Sequence, residues 1–233
     1  MRFDVMTLFP GMFDGFRQTQ IWKRAEAGGL VSCDFHDPRD FSRDLHRTVD
    51  DTPYGGGAGM LLKIEPLVDC LEAIPRVGKS KVLLTSPQGK TLNHPKLLEL
   101  ASWDQLIIVC GRYEGVDERF IEGWVDESFS IGDYVLAGGE LPAMVLMEAA
   151  TRLIPGVLGN QESVDQDSFS SGFLKYPQYT RPVDFRGRQV PEVLRSGHHE
   201  LIKRWRDEQA LERTSRLRPD LLGDKQSEPH KKR

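Results

Sequence analysis

Three glycine-rich turns hold the residues of this chain best suited to chemistry. They are Thr85-Ser86-Pro87-Gln88-Gly89, Gly111-Arg112-Tyr113-Glu114-Gly115, and the longer Ile131-Gly132-Asp133-Tyr134-Val135-Leu136-Ala137-Gly138-Gly139-Glu140-Leu141-Pro142. Each follows a segment with strand character. In open α/β sheets a ligand sits at the carboxyl ends of the strands, where glycine lets backbone N–H and C=O groups approach it. Any one of these loops serves equally well as a plain turn; three together point to a small-molecule pocket. The familiar phosphate fingerprints do not match. Gly89-Lys90-Thr91 ends like a P-loop, but Leu84 stands where the first glycine is required. Gly55-Gly56-Gly57-Ala58-Gly59 contains Gly-x-Gly without a clear strand before it, which argues against a dinucleotide turn. His36 and His46 lack metal-ligand spacing, and His198-His199-Glu200 lacks the order of a zinc protease helix.

Two further stretches stay open on residue types alone. Pro38 to Arg47, leading into Asp50-Asp51-Thr52-Pro53-Tyr54 and the glycine run, mixes cations, aromatics and backbone freedom. That mixture can hold phosphates around a splayed base, and it equally describes a charged surface loop. Asp167 sits in a serine-rich stretch, where an aspartate is either solubilising or a general base carried on a lid.

The elements that must position these loops follow from periodicity. Phe3 to Phe9, Lys81 to Ser86, Gln105 to Cys110 and the more polar Trp124 to Ser130 read as strands. The near-continuous Val, Leu and Ile of the middle two suit a parallel sheet covered on both faces, so the first part of the chain is α/β. Helices are expected over Met12 to Ala27, Glu65 to Ile74 and Leu141 to Ile154, the last with Pro142 at its first position. The stretch from Gly156 to Gly172 turns polar and small and reads as a linker. Val190 to Leu194 and His198 to Arg213 follow with helical spacing, Leu201, Ile202, Trp205 and Leu211 being available to one face.

The 233 residues, 39% hydrophobic and 28% charged, suit one large domain or a medium domain with an appendage, and exclude collagen-like and wholly disordered classes. The net charge of -4 divides into +6 from Lys175 onward and -10 before it, so a basic appendage follows an acidic body. This is compatible with a polyanionic partner, and also with a solvated helical face. Cys33, Cys70 and Cys110 are widely spaced and odd in number, giving neither a disulfide framework nor a metal knuckle. With no long apolar run near Met1 or later, a cytoplasmic protein without membrane contact is expected.

Taken in order, the motifs resemble those of the bacterial tRNA (guanine-N1)-methyltransferases of the SPOUT class. The resemblance rests on Thr7-Leu8-Phe9-Pro10, Pro38-Arg39-Asp40-Phe41, His46-Arg47-Thr48-Val49-Asp50-Asp51, Pro53-Tyr54-Gly55-Gly56-Gly57 and Ser86-Pro87-Gln88-Gly89. It continues through Cys110-Gly111-Arg112-Tyr113-Glu114-Gly115-Val116-Asp117-Glu118-Arg119, Ser130-Ile131-Gly132-Asp133-Tyr134-Val135-Leu136 and Gly138-Gly139-Glu140-Leu141-Pro142-Ala143. Ile154-Pro155-Gly156-Val157-Leu158-Gly159, Asp167-Ser168-Phe169, Tyr179-Thr180-Arg181-Pro182 and Ser196-Gly197-His198-His199 complete it.

The resemblance implies a SPOUT domain over 1–158 with a mostly parallel sheet and a deep trefoil knot. It further implies a flexible linker over 159–175, a small all-helical tRNA-binding domain over 176–222 and a disordered tail over 223–233. The implied enzyme is a homodimer with an active site shared between subunits. Its reaction moves a methyl group from S-adenosylmethionine to N1 of the guanine immediately 3′ of the anticodon in tRNA, giving 1-methylguanosine. The methyl donor falls to Leu84, Ser86, Pro87, Gly111, Tyr113, Glu114, Gly115, Ile131, Gly132, Tyr134, Leu136, Gly138, Gly139 and Pro142. Leu84 stands where many relatives have Tyr. Asp167 is implied as the base and Arg152 as the cation at guanine O6, with Glu114 contacting Mg2+. RNA contacts are implied for Arg39, His46, Asp50, Tyr54, Gly55, Gly57, Gly59, Ser168 and His198. A SPOUT methyltransferase acting on another RNA position, or a non-catalytic RNA-binding module, is the competing reading.

Overall fold

Five strands run side by side and all in one direction in the order β2-β1-β6-β5-β7. They are β1 (Arg2–Met6), β2 (Ser32–His36), β5 (Ser80–Thr91), β6 (Gln105–Cys110) and β7 (Glu127–Ser130). A computed structural model describes residues 1–159 and 167–223 of the chain, which divides into two compact units, 1–159 and 160–233. The sheet belongs to the first. All six residues of β6 are buried, as befits a central strand covered on both faces. Leu106 and Ile108 enter one apolar layer with Trp22 and Ala25 of α2 (Gln20–Ala27) and Leu146 and Met147 of α6 (Glu140–Leu153). Ile107 and Val109 enter the other, with Leu67 and Leu71 of α3 (Ile64–Ala73) and Phe120 of α5 (Glu118–Trp124). The period-two alternation of one strand thus divides the core into two layers.

Several boundaries differ from the sequence reading, each for a local reason. The strand expected over Phe3 to Phe9 ends at Met6, after which Pro10 opens a 3-10 turn, Pro10–Phe13. The helix expected over Met12 to Ala27 is broken: α1 (Asp14–Arg17) stops before Thr19, whose extended backbone opens α2. β2 was not expected, because an edge strand reading Ser-Cys-Asp-Phe-His has no continuous apolar run. Trp124 belongs to α5, where its ring stacks on Phe120 at 6.2 Å, so β7 begins only at Glu127. Pro142 is the third residue of α6, where its missing N–H still costs no helical bond. Two short strands, β3 (Asp50–Asp51) and β4 (Leu61–Leu62), pair antiparallel at the base of the glycine loop. α4 (His94–Leu100) is capped by the Asn93 side chain.

The segment expected as a linker, 159–175, begins at the last residue of the first unit, and its residues 160–166 lie outside the described residues. Its remainder, 167–175, folds back on the C-terminal helix His199–Leu217. The Leu174 N–H donates to Thr214 Oγ1 at 2.9 Å, and Arg213 Nη1 donates to the Lys175 carbonyl at 3.2 Å. The all-helical expectation needs correction. Asp184–Phe185 and Arg188–Gln189 form a two-stranded antiparallel ribbon, and the helix expected at Val190 to Leu194 is a 3-10 turn, Glu192–Arg195, behind Pro191. Within the C-terminal helix only Thr214 is buried, while Leu201 and Leu211 stay exposed. Of the expected tail 223–233, residues 224–233 lie outside the described residues. Among the described residues no helix is long and apolar enough to cross a membrane.

One buried carboxylate ties three strands together where β1 begins. Asp4, inaccessible to solvent, accepts from Arg2 Nε at 2.8 Å and from Gln105 Nε2 at 2.7 Å, and lies 2.8 Å from His36 Nε2. Burial alone would raise its pKa, but the hydrogen bonds from His36, Arg2 and Gln105 outweigh burial and hold it at about 2. An unfolded aspartate titrates at about 3.9. The network's stabilisation is therefore complete above about pH 4 and is lost as pH falls toward 2. Asp4→Asn is expected to cost roughly 2–4 kcal/mol at pH 7 and to flatten the acid limb of stability. Urea midpoints at pH 7 and pH 3 check this, and an unchanged pH dependence in the variant would contradict it.

Candidate functional site

The carboxyl ends of β5, β6 and β7 release the three glycine-rich loops, and these enclose a single cleft of about 510 Å³. The loops are locked to one another by hydrogen bonds of the main chain and of the Thr85 hydroxyl. Thr85 Oγ1 donates to the Val109 carbonyl at 3.2 Å and accepts from the Gly111 N–H at 3.2 Å. The Gly139 N–H donates to the Gly111 carbonyl at 2.9 Å, and Arg112 bridges Gly138 in antiparallel fashion. A Cβ on Gly139 would lie 1.8 Å from Thr85 Oγ1 and 2.9 Å from Cys110 Cα; one on Gly89 would lie 2.4 Å from the Phe129 nitrogen. These two glycines are therefore close approaches of chain to chain, beyond any need for a turn. Between Thr85 and Lys90 the β5–β7 register shifts, which lets Ser86 to Gly89 leave the ladder.

A buried ion pair closes the base of the cleft. Glu140, in the first turn of α6 and inaccessible to solvent, accepts from Thr7 Oγ1 at 2.8 Å and from Arg112 Nε at 3.2 Å. Its Oε2 lies 2.8 Å from Arg112 Nη2. Arg112 also donates to the Ala137 carbonyl at 3.1 Å, and its guanidinium lies 4.3 Å from the centre of the Phe9 ring. One side chain thus joins the 111–115 loop, the 131–139 loop, α6 and the end of β1. Sequence reading quoted Arg112, Glu140 and Thr7 only as parts of motifs. For Arg112 and Glu140 the signal was a charged residue directly after a loop glycine, Gly111-Arg112 and Gly139-Glu140; Thr7 carried none.

All fourteen residues assigned by resemblance to the methyl donor line this cleft, including Leu84 at its floor. Glu114 packs against the second glycine run: a Cβ on Gly59 would lie 2.3 Å from Glu114 Cγ, and the Glu114 N–H donates to the Met60 carbonyl at 2.9 Å. That contact brings one end of the Asp50 to Gly59 stretch to the cleft. Asp50 lies in β3 opposite Leu62; His46 and Tyr54 are exposed, and Gly55 and Gly57 take positive φ, Gly55 in open space and Gly57 beside the Pro53 ring. Arg39 is engaged internally, its Nη1 donating to the Leu8 carbonyl at 2.8 Å. Arg152 does not line the cleft. It lies in the last turn of the 14-residue α6, whose first turn is at the cleft, which puts it ~18 Å along the axis.

Asp167, Ser168 and His198 belong to the second unit. Lys175 Nζ lies 3.1 Å from Asp167 Oδ1, Ser168 Oγ accepts from the Lys175 N–H at 3.0 Å, and exposed His198 precedes the C-terminal helix. Among the described residues no group of three or more His, Cys, Asp or Glu side chains comes together as a metal site. The cysteines are poor nucleophiles: burial pushes the thiols of Cys33 and Cys70 up to about 12, and that of Cys110 well above its ordinary value.

Comparison of the sequence with known proteins gives one consistent answer. A family model described as "tRNA (Guanine-1)-methyltransferase TrmD" matches residues 1–224. Three similar curated relatives are each called "tRNA (guanine-N(1)-)-methyltransferase". That of Geobacter sulfurreducens is 56% identical over 223 residues, 95% of this chain and 91% of the relative. That of Geotalea uraniireducens is 55% identical over 226 residues, 96% and 91% of the two chains. That of Pseudoalteromonas atlantica is 53% identical over 224 residues, 95% and 84%.

The buried pair at the base of the cleft carries its own test. Arg112→Met leaves the Glu140 carboxylate buried with Thr7 as its remaining hydrogen-bond donor, and is expected to cost about 3–5 kcal/mol. Replacing both Arg112 and Glu140 by Met is expected to recover a large part of that loss. Chemical denaturation of the single and double variants measures the coupling; additive costs would contradict it.

Proposed function

The chain belongs to the tRNA (guanine-1)-methyltransferase family, and from that premise we propose that it methylates N1 of the guanine immediately 3′ of the anticodon in tRNA. The observation that carries the reading is the convergence of all fourteen expected donor-site residues on one cleft at the carboxyl ends of β5, β6 and β7. Its lining suits S-adenosylmethionine. Leu136, Ile131 and Pro142 offer apolar walls to an adenine, and the side chains of Ser86 and Glu114 bring polar groups to a ribose and an amino-acid tail. The bound donor supplies an electrophilic methyl group on a sulfonium. We read the contacts at Gly89 and Gly139 as crossings of a deep trefoil knot, which would make the cleft a property of threading rather than of loop sequence alone.

Guanine N1 carries a proton at neutral pH and is a poor nucleophile until that proton leaves. Asp167 is the base that removes it, releasing Lys175 from its pairing as the guanine arrives. Ionisation at N1 spreads negative charge onto O6, where the Arg152 guanidinium donates hydrogen bonds. Because Arg152 lies at the far end of α6 from the cleft of its own chain, this role calls for a shared site in a homodimer. Leu141 and Val145, exposed on the same helix, support an interface there. The remaining RNA contacts fall to the Arg39 to Gly59 region, where His46 and Tyr54 are exposed, to Ser168 and His198, and to the basic second unit at large. Glu114 offers one carboxylate, enough to contact a largely hydrated Mg2+ shared with substrate. The protein works in the cytoplasm.

Incubation with unmodified tRNA and labelled methyl donor is expected to yield 1-methylguanosine on nucleoside analysis; a 2′-O-methyl product would refute the assignment. Asp167→Asn is expected to bind S-adenosylmethionine within about two-fold of the parent protein while single-turnover methylation falls roughly 10²- to 10⁴-fold. Near-normal single-turnover rates would remove Asp167 from the role of base.

A further inference from the structure

The two-stranded ribbon of the second unit is built as a rigid tip whose side chains find little cover. Arg186 and Gly187 form its turn with φ of 56° and 80°, the paired positive values of the tight hairpin turn that matches strand twist. Asp184 Oδ1 accepts from the Gly187 N–H at 2.9 Å, and Gln189 Nε2 donates to Asp184 Oδ2 at 3.3 Å. The ladder continues as the Val190 N–H donates to the Val183 carbonyl at 2.9 Å. Every residue from Asp184 to Gln189 is nevertheless exposed. Cross-strand partners share a face. Phe185 pairs with Arg188, and Asp184 with Gln189, so the self-satisfied pair takes one face and an aromatic ring beside a guanidinium takes the other. Phe185 is 59% exposed and Val183, two residues before it, 42%. The Arg186 guanidinium stands 5.2 Å from the Phe185 ring centre.

An exposed phenyl ring flanked by two arginines on a rigid turn suits one kind of partner. A base has a face to stack on the ring, and its phosphates answer the two cations. The acid of the ribbon, Asp184, is occupied in holding the turn, so the tip presents positive charge. The second unit as a whole carries the basic excess of the chain. We propose that the Phe185–Arg188 face, with Arg186 at the tip, is a docking platform for an unpaired nucleotide of the tRNA substrate, stacking its base on Phe185 and pairing its phosphates with Arg186 and Arg188. This rests on the reading of the chain as a tRNA methyltransferase. It adds an RNA contact on residues that no motif singled out.

The test uses the full chain and an unmodified tRNA transcript. Phe185→Ala is expected to weaken tRNA binding roughly ten-fold or more and to raise KM for tRNA with a far smaller fall in kcat, leaving S-adenosylmethionine affinity unchanged. Phe185→Trp is expected to retain binding, because stacking needs a ring and not this particular one. The double variant Arg186→Gln/Arg188→Gln is expected to reduce the slope of log affinity against log salt by between about 1 and 2, whereas Phe185→Ala leaves that slope alone. The platform is overturned if Phe185→Ala binds tRNA within two-fold of the parent, or if Phe185→Trp loses as much as Phe185→Ala. It is also overturned if Phe185→Ala alters the oligomeric state with RNA affinity intact, for then the face seats a second copy of the chain. Failure of the parent protein to methylate tRNA would instead overturn the functional reading itself, a result separate from an insensitive ribbon.

Discussion

Chain passes chain in this molecule at distances that leave no room for a side chain, and the cleft exists because of it. At Gly139 the backbone lies against Thr85 and the Cys110–Gly111 peptide, and at Gly89 against Ser128 and Phe129. Three loops that would otherwise splay from the edge of a parallel sheet are thereby brought to hydrogen-bonding distance of one another. Open α/β sheets commonly bind ligands at this edge. Here the loops close over it, and because they are hydrogen-bonded to one another they lose little conformational freedom when a ligand arrives.

The charges follow the same plan. Two buried carboxylates hold opposite ends of β1 and its neighbours: Asp4 near the start of the strand and Glu140 beyond its end, through Thr7. Each is met by an arginine and by neutral donors, so neither remains an uncompensated charge in the core. Arg112 differs from Arg2 in lining the cleft while it pairs. Its guanidinium is consumed by Glu140, Ala137 and Phe9 and so serves to hold the loops together.

Much of the first unit was legible because β6 and the apolar part of β5 are nearly uninterrupted Val, Leu and Ile, a pattern that short buried parallel strands produce and few other structures do. β2 was missed because an edge strand can be as polar as Ser32-Cys33-Asp34-Phe35-His36 and still pair. The helix over Met12 to Ala27 was drawn too long because its apolar spacing continues across the break at Thr19. The fourteen cleft residues came from motif resemblance; glycine spacing alone indicated a pocket without its occupant. Thr85 and Glu140 were invisible as structural keys, since what each does depends on partners more than 20 residues away in the chain. The ribbon at Asp184 to Gln189 was equally hidden: Arg186-Gly187 lacks the Asn or Asp that usually announces such a turn, and no apolar alternation leads into it.

Cys33, Cys70 and Cys110 deserve a different reading once their surroundings are known. Burial pushes each thiol up and so holds it protonated at neutral pH, and it is the thiolate that peroxides and alkylating agents attack. Desolvation therefore makes all three sulfurs slow toward alkylating agents such as iodoacetamide while the fold is closed, and unfolding releases that protection.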